Sequence, residues 1–535
     1  MTKGKISFCI LIFLCAIIVR AVGVPFFFFS PDELMDLGVS QGASLREVLH
    51  RSTVEVHPPL EQLMKRLLLW STDNVAVIRG VYCCLGLMAV TALSLAAYTV
   101  GGLSAGLTCF TIAAFVPAYV SISLLVRGYG LFALAIALAL REFFLLGKSP
   151  SPYTTGRSWA LALWLALACA INFAGFPFAC AILLSLASLR ATIRSPTRYM
   201  FIGTIAAALA LEGAVLWWWY FSPETGAAEW RAMSRSPYFE QCAAFQSLSL
   251  WVVRLLTLFV PLPVNLIPAE LFVTVGAALV VLYVRALARL RNTHRELVVF
   301  ACVAWGLSTA LNFAGVYPLV GPRHSIWLLP GIFIPLSVVW GHFILAHPRV
   351  IGLLVVTITA FSLKGWYFNH TNDFPLPTAN YQAAKDFIQR EVATEDIIIP
   401  DRFGLLYVLY EHDRLRTFYE PSEPIYSTSF LGHRVLASTP ERRWQLTQQD
   451  ITPLMNELQT KSAPEAKVWL LSLGFKDHVM EQLRRCAEER QIPLRTMDLA
   501  GVSIVGGQTR DFTRLFGSSS ECFADYRDNL CAKRI

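Results

Sequence analysis

The chain has 535 residues, of which 55% are hydrophobic and 15% charged, and its formal net charge is +8. Soluble domains carry about 45–50% apolar and about 25% charged residues, so both departures point to a polytopic membrane protein. In such a chain a basic balance reports cytoplasmic loops. No helix-turn-helix, zinc finger or other nucleic-acid module accompanies it, and no nucleic-acid partner is expected.

In chain order, Lys3 and Lys5 precede an apolar run over 6–29. The run reaches the length of a membrane span, about 20 residues. It has no small-x-small site before Ser30, so it reads as a retained first span and not as a cleaved signal peptide. Arg20 inside it should face protein or the outer interface. Further spans are expected over 75–100, 103–118, 130–146, 159–173, 176–189, 199–221, 269–284, 297–317, 326–346 and 350–368. The segment 248–264 is apolar but holds Arg254, Pro261 and Pro263, which suits a helix lying in the outer interface.

The short loops fix the expected topology. Arg141, Lys148 and Arg157 lie in one; Arg190, Arg194 and Arg198 in a second; Arg285, Arg289, Arg291 and Arg295 in a third; Arg349 in a fourth. The positive-inside rule places all four in the cytoplasm with the N-terminus. About eleven spans follow, with the C-terminus outside. The expected domains are a transmembrane domain over 1–368, with outer loops at 30–74 and 222–268, and an extracytoplasmic domain over 369–535. In the tail, helical spacing over 381–392 and 478–490 alternates with short strand-like runs at 397–399, 468–473, 494–499 and 502–505, as in a small α/β domain. It has neither a Gly-x-Gly-x-x-Gly nor a Walker sequence.

Of the 12 cysteines, Cys9, Cys15, Cys83, Cys84, Cys109, Cys169, Cys180 and Cys302 lie in apolar runs and read as packing residues. Cys522 and Cys531 flank a short loop near the C-terminus. Whether they form a disulfide turns on the compartment, and an extracytoplasmic tail allows it.

The candidate chemistry starts just after the first span, at Ser30-Pro31-Asp32-Glu33 followed by Asp36. Ser30 at a cap with Pro31 next and then acids is a helix-start signal, so one reading makes these acids capping groups only. The other notes that acids near a bilayer are costly and often functional. Asp32 and Asp36 share a helix face, and such a cluster can act as a general base or hold a divalent cation. His57-Pro58-Pro59-Leu60 follows, an extended segment that restarts as an amphipathic helix over 60–70 with Lys65 and Arg66 between apolar residues. It is either a stiff loop with a surface helix or a loop folded back over the acids, with Lys65 or Arg66 on a lipid phosphate. Arg127-Gly128-Tyr129 opens the fourth span on the expected outer side, and Arg323-His324 opens the tenth. These arginines either snorkel to headgroups or grip phosphate with their planar fork of donors.

An acidic pair after the first span, then His-Pro-Pro-Leu, then Arg-x-Tyr at a later span start resembles the GT-C glycosyltransferases. Within them it is similar to the branch of protein O-mannosyltransferases and bacterial lipid A aminoarabinose transferases. The resemblance covers roughly 1–368, and Leu34-Met35 depart from its common pattern, which bears on the acceptor more than on the chemistry. It implies a GT-C-like helical membrane domain in a bacterial inner membrane and a polyprenyl-phosphate sugar as donor. The acceptor would be a glycan, lipid or protein. Asp32 and Glu33 would be catalytic, Arg127, Arg323, Lys65 and Arg66 would bind the donor phosphate, and Asp36, His57, Tyr129 and His324 are further candidates. A divalent metal on Asp32, Glu33 and His57 is an open alternative.

A lipid phosphate is already a good leaving group. The reaction needs a base for the acceptor hydroxyl and cations for the phosphate charge that develops. Direct displacement would invert the anomeric centre. The rival class is a transporter or lipid flippase, but transporters tend to place ionisable groups in mid-membrane and to show repeated halves, whereas here the acids sit in an outer loop and the halves do not match. A non-catalytic relative of the same fold is the third reading.

Overall fold

The computed structural model describes residues 3–42, 44–54, 58–148, 155–188, 196–221, 269–314, 325–347, 376–411, 425–438, 467–473, 478–499 and 502–517, with a few single positions between them. Two compact units emerge. One holds 1–24 and 43–369; the other holds 25–42 and 370–535.

The helices in chain order are α1 (Lys3–Phe26), α2 (Pro31–Ser40), α3 (Leu45–Val54), α4 (Pro59–Ser71), α5 (Val75–Phe115), α6 (Pro117–Leu124), α7 (Tyr129–Lys148), α8 (Thr155–Ile171), α9 (Gly175–Ser188), α10 (Pro196–Phe221), α11 (Ala269–Leu290), α12 (Arg295–Phe313) and α13 (Leu329–Ala346). In the C-terminal region follow α14 (Thr378–Glu391), α15 (Arg402–Glu411), α16 (His478–Glu489) and α17 (Thr509–Gly517). Among the described residues five helices are long and apolar enough to cross a membrane: Val75–Phe115, Tyr129–Lys148, Glu270–Leu290, Arg295–Phe313 and Ile326–Phe343. Shorter apolar helices accompany them at Ile10–Phe26, Gly156–Ile171, Gly175–Ser188 and Gly203–Leu216. The chain is a multi-pass helical membrane protein with a small C-terminal sheet.

α5 is two arms and not one rod. Gly102 has φ +72°, a left-handed backbone that glycine adopts without a Cβ penalty. Beyond it the chain turns back on itself. Ser94 Oγ donates to the Gly106 carbonyl at 2.8 Å, and Cys109 Sγ approaches the Leu93 carbonyl at 3.9 Å. The segments expected as separate spans over 75–100 and 103–118 are these two arms. The interface segment 248–264 lies almost wholly outside the described residues, as do Arg254, Cys522 and Cys531.

The run 6–29 is shorter as a helix than as an apolar run. α1 ends at Phe26, and Phe27–Phe29 are extended or bridged. The outer loop expected over 30–74 contains three helices: α2 and α4 match the helix start at Ser30 and the helix over 60–70, and α3 is added.

The second unit carries a six-stranded sheet in the order β2-β3-β1-β4-β6-β5. Its strands are β1 (Ile397–Pro400), β2 (Ile425–Phe430), β3 (His433–Ser438), β4 (Lys467–Leu473), β5 (Arg495–Leu499) and β6 (Val502–Gln508). β1 pairs in parallel with both β3 and β4, while β2 with β3, β4 with β6, and β5 with β6 are antiparallel. One face of the sheet is sealed by α16 and α17. Met480, Leu483, Phe512 and Leu515 meet Ile397, Ile399, Leu470 and Val505 in a single core. Asp396 ties strands and loop together, accepting from Trp469 Nε1 at 2.9 Å, from the Ala393 amide at 3.0 Å and from the Lys467 amide at 3.2 Å.

Candidate active site

The acidic stretch belongs to the second unit. Ser30 is the N-cap of α2, in extended conformation, and Pro31 takes the first turn. Glu33 completes a capping box: its amide donates to Ser30 Oγ at 3.3 Å, and its Oε2 accepts from the Ser30 amide at 2.6 Å. Ser-x-x-Glu is the sequence form of that box. Glu33 is fully buried. Asp32, between the two capping residues, is half-buried and takes no part in the box. Asp36, one turn on, is buried at 1% exposure. One carboxylate of the adjacent pair, Glu33, therefore has a structural use in the capping box.

This stretch is held by aromatic and backbone contacts within its unit. The Phe28 amide donates to the Leu376 carbonyl at 2.7 Å, and Phe27 forms an antiparallel bridge with Pro377. The Phe28 ring stacks on Tyr381, with centroids 4.2 Å apart and planes 15° apart. Tyr407 Oη donates to the Phe29 carbonyl at 2.7 Å. Tyr381 Oη in turn donates to Glu411 Oε1 at 2.7 Å, an oxygen that also receives Lys385 Nζ at 3.0 Å. Burial first, and then the Glu411 charge, push the Tyr381 phenol well above its ordinary range. It therefore remains a hydrogen-bond donor.

The basic residues form a second group, in the helical unit. Lys65 is buried on α4 and pairs with Glu61 one turn earlier at 2.6 Å, the i,i+4 spacing of a helical ion pair. Arg66, next to it, is half-buried and lies 5.3 Å from the Trp70 ring centroid. The buried Arg127 lies over its own neighbour Tyr129, 5.6 Å from the ring centroid. Gly128 explains how α4 and this turn come together: a Cβ there would lie 2.7 Å from Glu61 Oε2, so only a glycine lets the Glu61 carboxylate approach. Lys65, Arg127 and Tyr129, far apart in sequence, are thus brought to one region of the unit.

Sequence reasoning passed over one further member of this region, Arg79, and placed another, Arg20, only against protein or the outer interface. Arg79, at the start of α5, is fully buried and donates to the Leu124 carbonyl. Arg20 reaches Ser123 Oγ at 3.1 Å and the Ala114 carbonyl at 2.9 Å, which meets the expectation that it faces protein. The signal for Arg79 was present, an arginine inside an otherwise apolar run. Arg20, Arg79 and the Lys65–Glu61 pair therefore meet the stretch 114–128, which carries a fourth buried basic side chain, Arg127. Such groups are costly in a bilayer and mark functional sites.

His57, Arg323 and His324 lie outside the described residues. Among the described residues no three of His, Cys, Asp and Glu gather closely enough to hold a metal ion. A metal on Asp32, Glu33 and His57 would have to share Glu33 with the Ser30 amide.

No protein-family model matches the chain, and no curated protein matches it in sequence. Among solved structures, the crystal structure of ArnT from Cupriavidus metallidurans bound to undecaprenyl phosphate matches at 13% identity, covering 95% of this chain and 98% of that one, with a TM-score of 0.48. ArnT from the same organism in the apo state matches at 12% identity over 95% and 99%, also at 0.48. At that identity and score the likeness carries no residue, substrate or mechanism over to this chain.

Proposed function

We propose that the chain is a membrane glycosyltransferase that moves a sugar from a polyprenyl-phosphate donor to an acceptor hydroxyl on the extracytoplasmic side. The observation that carries this reading is the division of labour in the acidic pair. Glu33 is spent on the capping box, while Asp32, one residue earlier, is half-buried and outside it. The capping box uses Ser30 and Glu33, and the general base is assigned to Asp32, the neighbouring carboxylate of the same motif. Buried arginines and a buried lysine in the helical unit supply the second requirement, cations suited to a phosphate.

In the proposed reaction the acceptor oxygen attacks the anomeric carbon. Its proton passes to the Asp32 carboxylate, and the bond from the anomeric carbon to the phosphate oxygen breaks. The polyprenyl phosphate leaves with that electron pair, its charge met by Arg127, Arg323, Lys65 and Arg66. Displacement in one step inverts the anomeric centre. Asp36, His57, Tyr129 and His324 are proposed as further residues of the reaction. The carrier class is proposed from this chain's own motif and buried cations. An eleven-span arrangement, with the N-terminus in the cytoplasm and the tail outside a bacterial inner membrane, goes with the same reading.

The test is to reconstitute the protein in liposomes with polyprenyl-phosphate sugars of several kinds. Release of polyprenyl phosphate is measured, together with the anomeric configuration of the product. The expected result is consumption of at least one donor with inversion. Retention would rule out direct displacement, and inertness toward every lipid-linked sugar would rule out the transferase. With a donor in hand, Arg127→Ala and Arg323→Lys should raise the donor KM, because each removes a planar fork of donors. Unchanged donor KM in both would leave these arginines as anchors to headgroups.

A further inference from the structure

The C-terminal unit contains more ordered polar and aromatic machinery around residues 25–30 than is needed to tether a chain. Seven contacts converge on four of these residues. Thr378 Oγ1 donates to the Pro25 carbonyl at 3.2 Å. Phe27 bridges Pro377, the Phe28 amide donates to Leu376, the Phe28 ring stacks on Tyr381, and Tyr407 Oη donates to the Phe29 carbonyl. Tyr410 packs edge-on against both Phe28 and Phe29, at 5.4 and 5.8 Å. The last of these contacts falls on the residue just before the N-cap Ser30.

The origin of Tyr407 matters. α15 springs from the carboxyl end of β1, with Asp401 at the junction. Asp401 Oδ1 accepts from the Gly404 amide at 2.5 Å and Oδ2 from Ser472 Oγ at 2.6 Å, while the Asp401 amide donates to the Leu471 carbonyl of β4. The helix that carries Tyr407 is thereby locked to the two central parallel strands. Open α/β sheets bind their ligands at the carboxyl ends of their strands. Here the element leaving that end grips the chain's own segment 25–30.

We propose that Tyr407 is a positioning residue for α2, and that the C-terminal unit serves the transfer reaction as the clamp that orients Asp32. The clamp rests on the glycosyltransferase reading for its purpose, though not for its geometry. The chain of positioning runs from β1 and β4 through Asp401 to α15, through the Tyr407 hydroxyl to the Phe29 carbonyl, and across Ser30 to the first turn of α2. Tyr407 touches neither donor nor acceptor in this scheme; it acts only through the placement of Asp32.

Tyr407→Phe removes one hydroxyl and keeps the ring, so the aromatic cluster and the fold should survive. Losing one buried hydrogen bond of ordinary strength should speed amide exchange across 31–40 about fivefold. Small misplacements of a reacting group are costly, so kcat should fall about tenfold while KM for the lipid donor stays as in the wild type. The acidic limb of the pH profile should not move, because the base itself is unchanged. Tyr381→Phe is the control: it keeps the stack on Phe28, loses only the bond to Glu411, and should keep both kcat and exchange close to wild type.

Wild-type exchange over 31–40 in Tyr407→Phe overturns the clamp. Faster exchange with unchanged kcat overturns the positioning role. A fall in kcat with a parallel rise in donor KM also overturns it, since that is the mark of general unfolding or lost donor binding. If wild-type protein is inert toward lipid-linked sugars, the transferase reading fails, and the exchange result alone upholds or overturns the clamp.

Discussion

The stretch from Pro25 to Ser71 has an acidic half and a basic half, and they belong to different units. The acidic half holds Asp32, Glu33 and Asp36 without a lysine or arginine; the basic half, α4, holds Lys65 and Arg66 beside Glu61. In the first half, acids stand on a helix start and one of them satisfies backbone amides. In the second, a lysine is buried in the middle of a helix and a carboxylate one turn away accompanies it. The two halves show two ways of keeping ionised groups in a largely apolar chain. One uses main-chain donors at a helix N-terminus; the other uses an opposite charge at helical spacing.

The largest effect on stability is expected where the second device is broken. Glu61→Ala leaves the buried Lys65 ammonium without the carboxylate at 2.6 Å. Breaking a buried pair by removing one partner costs about 3–5 kcal/mol. The expected outcome is a sharply lower thermal inactivation midpoint in detergent, recovered in large part by the double variant Glu61→Ala/Lys65→Met. A midpoint close to wild type in the single variant would mean that the pair is not a structural element of α4.

A smaller loss should follow Gly506→Ala in the second unit. A Cβ there would lie 2.2 Å from Trp469 Cε3, and Trp469 is held in place by Asp396. Overpacking of this kind costs about 1–3 kcal/mol. Limited proteolysis should show a loosened C-terminal sheet while the helical unit resists as before. Equal sensitivity of both units would contradict their separation.

Smaller again is the first device. Ser30→Ala removes the cap that the Glu33 amide uses, at a cost of about 1 kcal/mol. Glu33→Gln should cost less, because glutamine also serves in a capping box. Thermal midpoints of the two variants give the ranking; a Glu33→Gln loss larger than that of Ser30→Ala would show that the Glu33 charge does more than cap.

The expected topology adds a test without an energy scale. Single cysteines at Ser151 and Asn292 should label only from the cytoplasmic side, and those at Ser236 and Ser462 only from outside. Outside labelling at 292 would overturn the eleven-span arrangement.

Much of this was legible from local pattern. The long apolar runs, the break near Gly102, the helix start at Ser30 and four of the six strands follow from periodicity and cap chemistry. The β2–β3 hairpin was not legible, because its two-residue turn is Leu431-Gly432, both at positive φ. Turns of that kind usually announce themselves as Asn-Gly or Asp-Gly, and a leucine at positive φ gives no such signal. At the site, the Glu61–Lys65 pair could have been read from its spacing. The use of Glu33 in the capping box could also have been read, from Ser-x-x-Glu. The attachment of Phe27–Phe29 to the C-terminal unit could not, since it joins residues more than three hundred positions apart, and an apolar run gives no hint that its last residues leave the span.

The central claim is that the adjacent acids divide their labour, Asp32 for chemistry and Glu33 for the helix. It is tested most directly by turnover of a polyprenyl-phosphate sugar in matched preparations of Asp32→Asn and Glu33→Gln. Both substitutions are isosteric, and both variants should insert and fold. The account predicts that Asp32→Asn loses about 10²–10⁴ in rate, as when a general base is removed, while Glu33→Gln retains most of its activity. A nearly fully active Asp32→Asn, or an equal loss in both variants, would contradict it.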